Sequence, residues 1–204
     1  MLILWLLPHL LFASLTSFEL LNYAKLLHFP LHFSWLALVL PAAVGWLTWY
    51  CLNRALKKSH SQNMAIQAGI LILISLYADI LGNLAGFYSQ FFWYDKLTHF
   101  WGGVSAASVL FALLWHWQKL GKIKLPLTWL VVFVISLAIS TAVIYEFEEY
   151  FEDYFNQTHK ISDRFDTSDD LMWHFLGASL TATSLALFNR RKEAPSFLRL
   201  KKNT

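Results

Sequence analysis

Apolar residues fill long blocks along this chain, separated by short polar segments. The pattern is neither the period-two alternation of a half-buried strand nor the one-sided stripe of a surface helix. Crossing the roughly 30 Å hydrocarbon layer takes about 20 apolar residues in a helix rising about 1.5 Å per residue. Blocks near that length run over 2–21, 31–52, 64–88, 97–117, 125–145 and 171–188. They predict an all-α, polytopic transmembrane helix bundle of about six helices, forming one integral membrane domain over 1–204 with a basic tail over 189–204. The first block is the weakest, with Pro8 and His9 inside it and Glu19 near its end. It also lacks the basic residues that precede a signal peptide's apolar run. If it does not span, the other five keep their topology and only the N-terminus changes sides.

Composition supports the bilayer. Of 204 residues, 57% are hydrophobic and 14% charged, against about 25% charged in a soluble domain. The single Cys51 excludes an internal disulfide framework or a cysteine-rich metal knuckle. A net charge of +3 is too small and scattered to point to nucleic acid. Walker, dinucleotide and Gly-x-Ser-x-Gly motifs are missing from the sequence, as are internal repeats and low-complexity linkers.

Charge placement orients the bundle. Arg54, Lys57 and Lys58 follow the second block; Lys119, Lys122 and Lys124 follow the fourth; Arg190, Arg191, Lys192, Arg199, Lys201 and Lys202 follow the sixth. These 12 of the 16 basic residues fall on one side of a six-helix zigzag, and basic loops stay in the cytoplasm. Both termini are therefore expected in the cytoplasm. Of the 13 acids only Glu193 lies on that side, and nine run from Glu146 to Asp170. Acids contribute little to orientation, so their segregation makes the outward face the place to look for a site.

Four segments there carry candidate chemistry. Asp95 and His99, four apart at the start of the fourth block, share a helix face and suit one metal ion, or a pair in which the acid orients the ring. Helix capping by Asp95 and a packed His99 is the plainer alternative. Glu146, Glu149 and Asp153 form one stripe at i, i+3 and i+7, where mutual repulsion invites a cation. Glu148, Glu152 and Asp153 also fit a solvated acidic helix extension, whereas Glu146 fits it least. Asp163, Asp166, Asp169 and Asp170 lead into the sixth block, where Thr167 and Asp170 have capping-box spacing. His174 lies one turn deeper on the Asp170 face, in a position that normally meets a bundle interior or a wet cavity. Asp79 and Asn83 share a face within hydrocarbon depth, where an acid serves either as a ligand or as hydrogen-bonding glue. His28, His32, His60 and His116 have no acidic partner in their segments. Asn156-Gln157-Thr158 matches a short glycosylation pattern that carries little by itself.

The order Asp79…Asn83, Tyr94-Asp95-Lys96-x-x-His99-Phe100, Tyr145-Glu146-x-x-Glu149, then Asp166-Thr167-x-x-Asp170-Leu171 and Gly177-Ala178 resembles the YjdF-like family of bacterial inner-membrane proteins and, more distantly, the VanZ-like proteins. The resemblance covers about half the chain, and His174 departs from it, standing where an amide or small polar residue is expected. It implies a compact helical protein of the bacterial inner (plasma) membrane, with no established reaction. Thr98-His99-x-x-x-Gly103 is also slightly similar to membrane-bound metal-dependent hydrolases.

The sequence thus raises three expectations. The first is a divalent metal held by Asp95, His99, Glu146, Asp166 and Asp170, with Glu149 and His174 in catalytic roles, hydrolysing a lipid or cell-envelope substrate. The second is a non-enzymatic protein that binds an amphiphile or cation, or conducts protons through Asp79 and His99. The third is a structural or interaction protein. In each the partner is the lipid bilayer.

Overall fold

The computed structural model describes residues 2–31, 33–57 and 62–193. His32, Lys58 and His60, and the part of the basic tail that carries Arg199, Lys201 and Lys202, lie outside the described residues. Among the described residues seven helices follow one another: α1 Leu2–Tyr23, α2 Trp35–Leu56, α3 Gln62–Ala85, α4 Phe87–Gln90, α5 Tyr94–Lys119, α6 Leu127–Asn156 and α7 Asp166–Glu193. Among the described residues, α2, α3, α5, α6 and α7 are long and apolar enough to cross a membrane. The 22-residue α1, with Pro8 inside it, packs on α2 and α3.

The ends differ from the expected blocks where polar residues have an inward role. α6 runs past position 145 to Asn156, because Glu146, Glu149 and Glu152 continue its buried face. α7 begins at Asp166 rather than at 171. The short α4 was not expected from the apolar pattern. Gly86 makes it by adopting φ +69°, a left-handed turn that glycine enters without a Cβ penalty. The Tyr94 hydroxyl then ties the start of α5 back to α3 by donating to the Ala78 carbonyl at 2.6 Å.

The bundle has two halves, α1–α2–α3 and α5–α6–α7, joined where α3 packs on α5. The closest helix pair is α5 and α7. A Cβ on Gly103 would overlap the His174 carbonyl oxygen, and one on Gly177 would overlap that of Phe100. Small residues permit such backbone contact, the main source of helix association where lipid removes the usual hydrophobic drive.

Three buried stripes with mostly four-residue steps meet in this half. On α5 the stripe is His99, Gly103, Ala107, Phe111 and Trp115; on α6 it is Leu130, Val134, Ala138, Ala142 and Glu146; on α7 it is Asp170, His174, Ala178, Ala182 and Ala186. Their apolar parts form one core. Each stripe becomes polar at the same end of the bundle. The residues that stabilise the α5–α6–α7 core therefore also aim three sets of ligating side chains at one point.

A candidate metal centre at one end of the bundle

His99 from α5, Glu146 and Glu149 from α6 and Asp170 from α7 each offer a ligating atom, all within 4.8 Å of one another. Asp95, Asp166 and Asp170 form an overlapping second group at the same spacing. His99 and Glu146 are buried, and Asp170 is 1% exposed. The imidazole is flanked on both sides: Nε2 lies 3.5 Å from Asp95 Oδ1 and 3.7 Å from Asp170 Oδ2, and Nδ1 lies 3.9 Å from Glu146 Oε1. The Tyr145 ring meets its edge, with ring centroids 5.8 Å apart. One ring nitrogen can thus ligate while the other donates to a carboxylate, the arrangement that fixes a ligating histidine's tautomer.

Unmet hydrogen-bonding capacity is concentrated here. Both oxygens of Glu146 and Oδ1 of Asp170 are buried with no protein partner in hydrogen-bond geometry; the Thr167 hydroxyl approaches Glu146 without closing a bond. Burying an unpaired carboxylate costs several kcal/mol, and one imidazole cannot balance five acids. A divalent cation would neutralise two charges and satisfy the orphaned oxygens together. One imidazole among carboxylate oxygens suits Mn, Mg, Fe or Zn by its donor chemistry.

A second polar network lies beside the first. Asp79 Oδ1 accepts from the Tyr88 hydroxyl at 2.7 Å and from Asn83 Nδ2 at 3.0 Å, and Asn83 Oδ1 accepts from the Phe33 amide. The plainer reading of Asp79 and Asn83, hydrogen-bonding glue, describes these bonds. Between this network and the metal-ligand group lies a polar space of about 20 Å³ bordered by Asp79, Asp95, Tyr145, Glu149 and Lys160. That is room for one water with several polar partners.

The structure brings Asp95, His99, Glu146, Glu149, Asp166 and Asp170 together. Asp79 and Asn83 are not among the groups within 4.8 Å of one another, although Asp79 borders the same small polar space as Asp95 and Glu149. His174 lies one turn below Asp170, where Gly102 faces its ring. Asp166 is partly engaged, accepting from the Ser162 amide and hydroxyl. The expected capping box does not form: α7 already starts at Asp166, and Asp170 turns inward toward His99. Asp153 binds the returning loop instead, accepting from Thr158, Lys160 and Ile161.

Reading the sequence also missed several participants. Glu152 is buried and Glu148 half-buried, so neither belongs to a solvated extension. Lys160, in the α6–α7 connection, folds back to donate to Glu148 Oε2 at 2.9 Å, with its ammonium 5.8 Å from the centre of the Tyr145 ring. Burial works against its charge, but Glu148 and Glu149 more than offset this and hold its pKa above the usual lysine value. Glu19 of α1 is 1% exposed and within electrostatic reach of Asp79. The α6 acids were legible as an extension of the four-residue stripe; Lys160, in a loop, had no such signal.

Comparisons with curated proteins and with solved structures give no match. The family described as "Predicted membrane protein (DUF2238)" matches residues 29–191, a stretch that includes α2 through nearly all of α7 and every candidate ligand above. This chain, a helical bundle with five segments able to span a bilayer, belongs to the DUF2238 family of predicted membrane proteins.

Proposed function

We propose that this protein is a divalent-metal-dependent hydrolase of the bacterial inner membrane, acting at its outer face on a lipid or cell-envelope phosphoester. The observation that carries the reading is the meeting of His99, Glu146, Glu149 and Asp170 from three helices, with buried carboxylate oxygens that no protein group satisfies. Within the family, the ordered acidic and histidine motifs support a YjdF-like assignment. Orientation rests on charge: Arg54, Lys57, Lys119, Lys122, Lys124, Arg190 and Arg191 flank the helix ends opposite the site, so the site faces outward.

In this reading His99, Glu146 and Asp170 hold the ion, with Asp95 orienting the imidazole. A divalent ion supplies Lewis acidity and an acidified water. Glu149, in the same group of side chains, would be the base that takes a proton from the attacking water as a P–O bond to that water forms and the P–O bond to the leaving group breaks. His174 and the half-buried Glu148 border the space where the leaving group would be protonated. The bundle excludes bulk water, which strengthens each electrostatic contact.

Metal analysis of the purified full chain tests the proposal. The wild type should carry about one equivalent of a divalent metal, and His99→Ala and Asp170→Asn should each lower affinity by about 10–100-fold. Metal-free wild type after purification and reloading with Mn, Mg, Fe or Zn would overturn it.

A further inference from the structure

A cavity of about 590 Å³ leads away from the polar end between the two halves of the bundle, within the size range of small-molecule sites. α6 packs on α5 and α7, whereas α2 packs on α1, α3 and α5. α5 therefore floors a trough walled by α2 and α3 on one side and by α6 on the other. Leu40 and Val44 of α2 and Ile144 of α6 border it and are themselves exposed, so the trough opens sideways, where the acyl chains of a bilayer would lie.

The trough has a polar head and an apolar length. Asp79, Tyr88, Thr98, His99, Glu148 and His174 close the head, and Val109 and Leu110 lie at the far end. From Thr98 to Leu110 along α5 is about 18 Å at 1.5 Å per residue, slightly more than the roughly 15 Å depth of one leaflet's hydrocarbon. At the head, Glu148 Oε1 and His174 Nε2 are buried with no partner. The Ala138 carbonyl approaches the His174 ring without reaching hydrogen-bond geometry at Nε2. Glu148 is an acceptor and needs a donor. Lys160 already supplies the positive charge on its other oxygen, so a neutral hydroxyl fits better than a second ammonium.

From this geometry we infer that the trough binds one alkyl or acyl chain of a membrane amphiphile, entering sideways from the outer leaflet, with a hydroxyl-bearing head group held by Glu148 and His174 beside His99. The inference deepens the proposed hydrolase by naming its substrate class, and it rests on that reading for what happens to the head group. Binding of the chain requires no metal.

Photolabelling tests it. The full chain is placed in phosphatidylcholine nanodiscs with a trace of monoacylglycerol carrying a diazirine in mid-chain, and adducts are mapped by mass spectrometry. Labelling should be saturable at Val44, Ala106 and Val109. Unlabelled 1-dodecanoylglycerol should displace the probe at about tenfold lower concentration than methyl dodecanoate, which lacks the donors that Glu148 needs. Ala106→Phe, which fills the trough, should lower trough labelling about tenfold while leaving the lipid-facing Phe133 unchanged. Labelling that is non-saturable, or that favours neither the trough nor the hydroxylated competitor, overturns the inference. The competition uses wild type alone, so it decides the matter even if Ala106→Phe fails to fold. Metal is assayed on the same sample. Saturable labelling without metal would sink the hydrolase and leave the amphiphile site standing; stoichiometric metal with non-saturable labelling would do the reverse.

Discussion

Lys160 shows how one side chain can hold a site together from a loop. Its Nζ is 2.9 Å from Glu148 Oε2, with 4% of the lysine side chain and 23% of the glutamate side chain exposed. Breaking a fully buried pair costs about 3–5 kcal/mol; the partial exposure of Glu148 brings the expected cost of Lys160→Met down to about 2 kcal/mol. The double variant Lys160→Met/Glu148→Gln should recover part of this loss, since no charge is then left buried alone. Denaturant titration of both variants checks the order, and a double variant less stable than Lys160→Met would refute it. The pH dependence follows from the raised lysine pKa. The stabilisation is complete below the usual lysine value of 10.5 and disappears only as pH rises through the higher folded value. The stability difference between wild type and Lys160→Gln should therefore persist to about pH 9 on the alkaline side and shrink in stronger alkali.

At the scale of elements, the α5–α7 contact sets the position of His99 relative to Asp170. Gly103 and Gly177 lie against the backbone of the opposite helix, so a larger side chain must push the helices apart. Gly103→Leu and Gly177→Leu should each destabilise by about 1–3 kcal/mol or more and weaken metal binding, although neither glycine is a ligand. Thr183→Leu, on the exposed face of α7, should do neither. Detergent-solubilised thermal unfolding alongside metal titration measures both effects; unchanged metal affinity in both glycine variants would show that helix spacing does not tune the site. The same contact explains why part of the site was readable in advance. Glu146 and Glu149 extend the apolar stripe of α6, and His174 and Asp170 extend that of α7. Acids continuing a buried stripe must face the core, because the helix repeat leaves them nowhere else to point.

At the scale of the whole molecule, charge gives the bundle a direction. The basic residues of the α2–α3 and α5–α6 connections and of the α7 end lie opposite the acidic end of the bundle. A fluorescent protein fused after Thr204 should therefore mature and emit, as it does only when folded in the cytoplasm, while alkaline phosphatase at the same position should stay inactive. An active phosphatase fusion would invert the topology and put the candidate metal centre on the cytoplasmic face. The two halves of the bundle meet mainly through α3 and α5, which leaves the trough between α2 and α6 open along its side.

The amino-acid sequence by itself determined the helical class, the approximate spans and the charge asymmetry, and it singled out Asp95, His99, Glu146, Glu149, Asp166 and Asp170 as candidates, because these depend on local periodicity and on the cost of placing charge in hydrocarbon. It underestimated the lengths of α6 and α7 and left Glu148 and Glu152 to a solvated extension, since hydropathy alone does not say whether a carboxylate has an inward partner. Only the tertiary structure decided that His99, Glu146, Glu149 and Asp170 converge, that Asp79 belongs to a separate network, that Lys160 returns over Glu148, and that an apolar trough begins at His99. Each of these is a relation between segments that the repeat of a single helix does not connect. Distances of a few ångströms across a bundle depend on how closely small residues such as Gly103 and Gly177 let backbones approach, and no repeat within one helix encodes that.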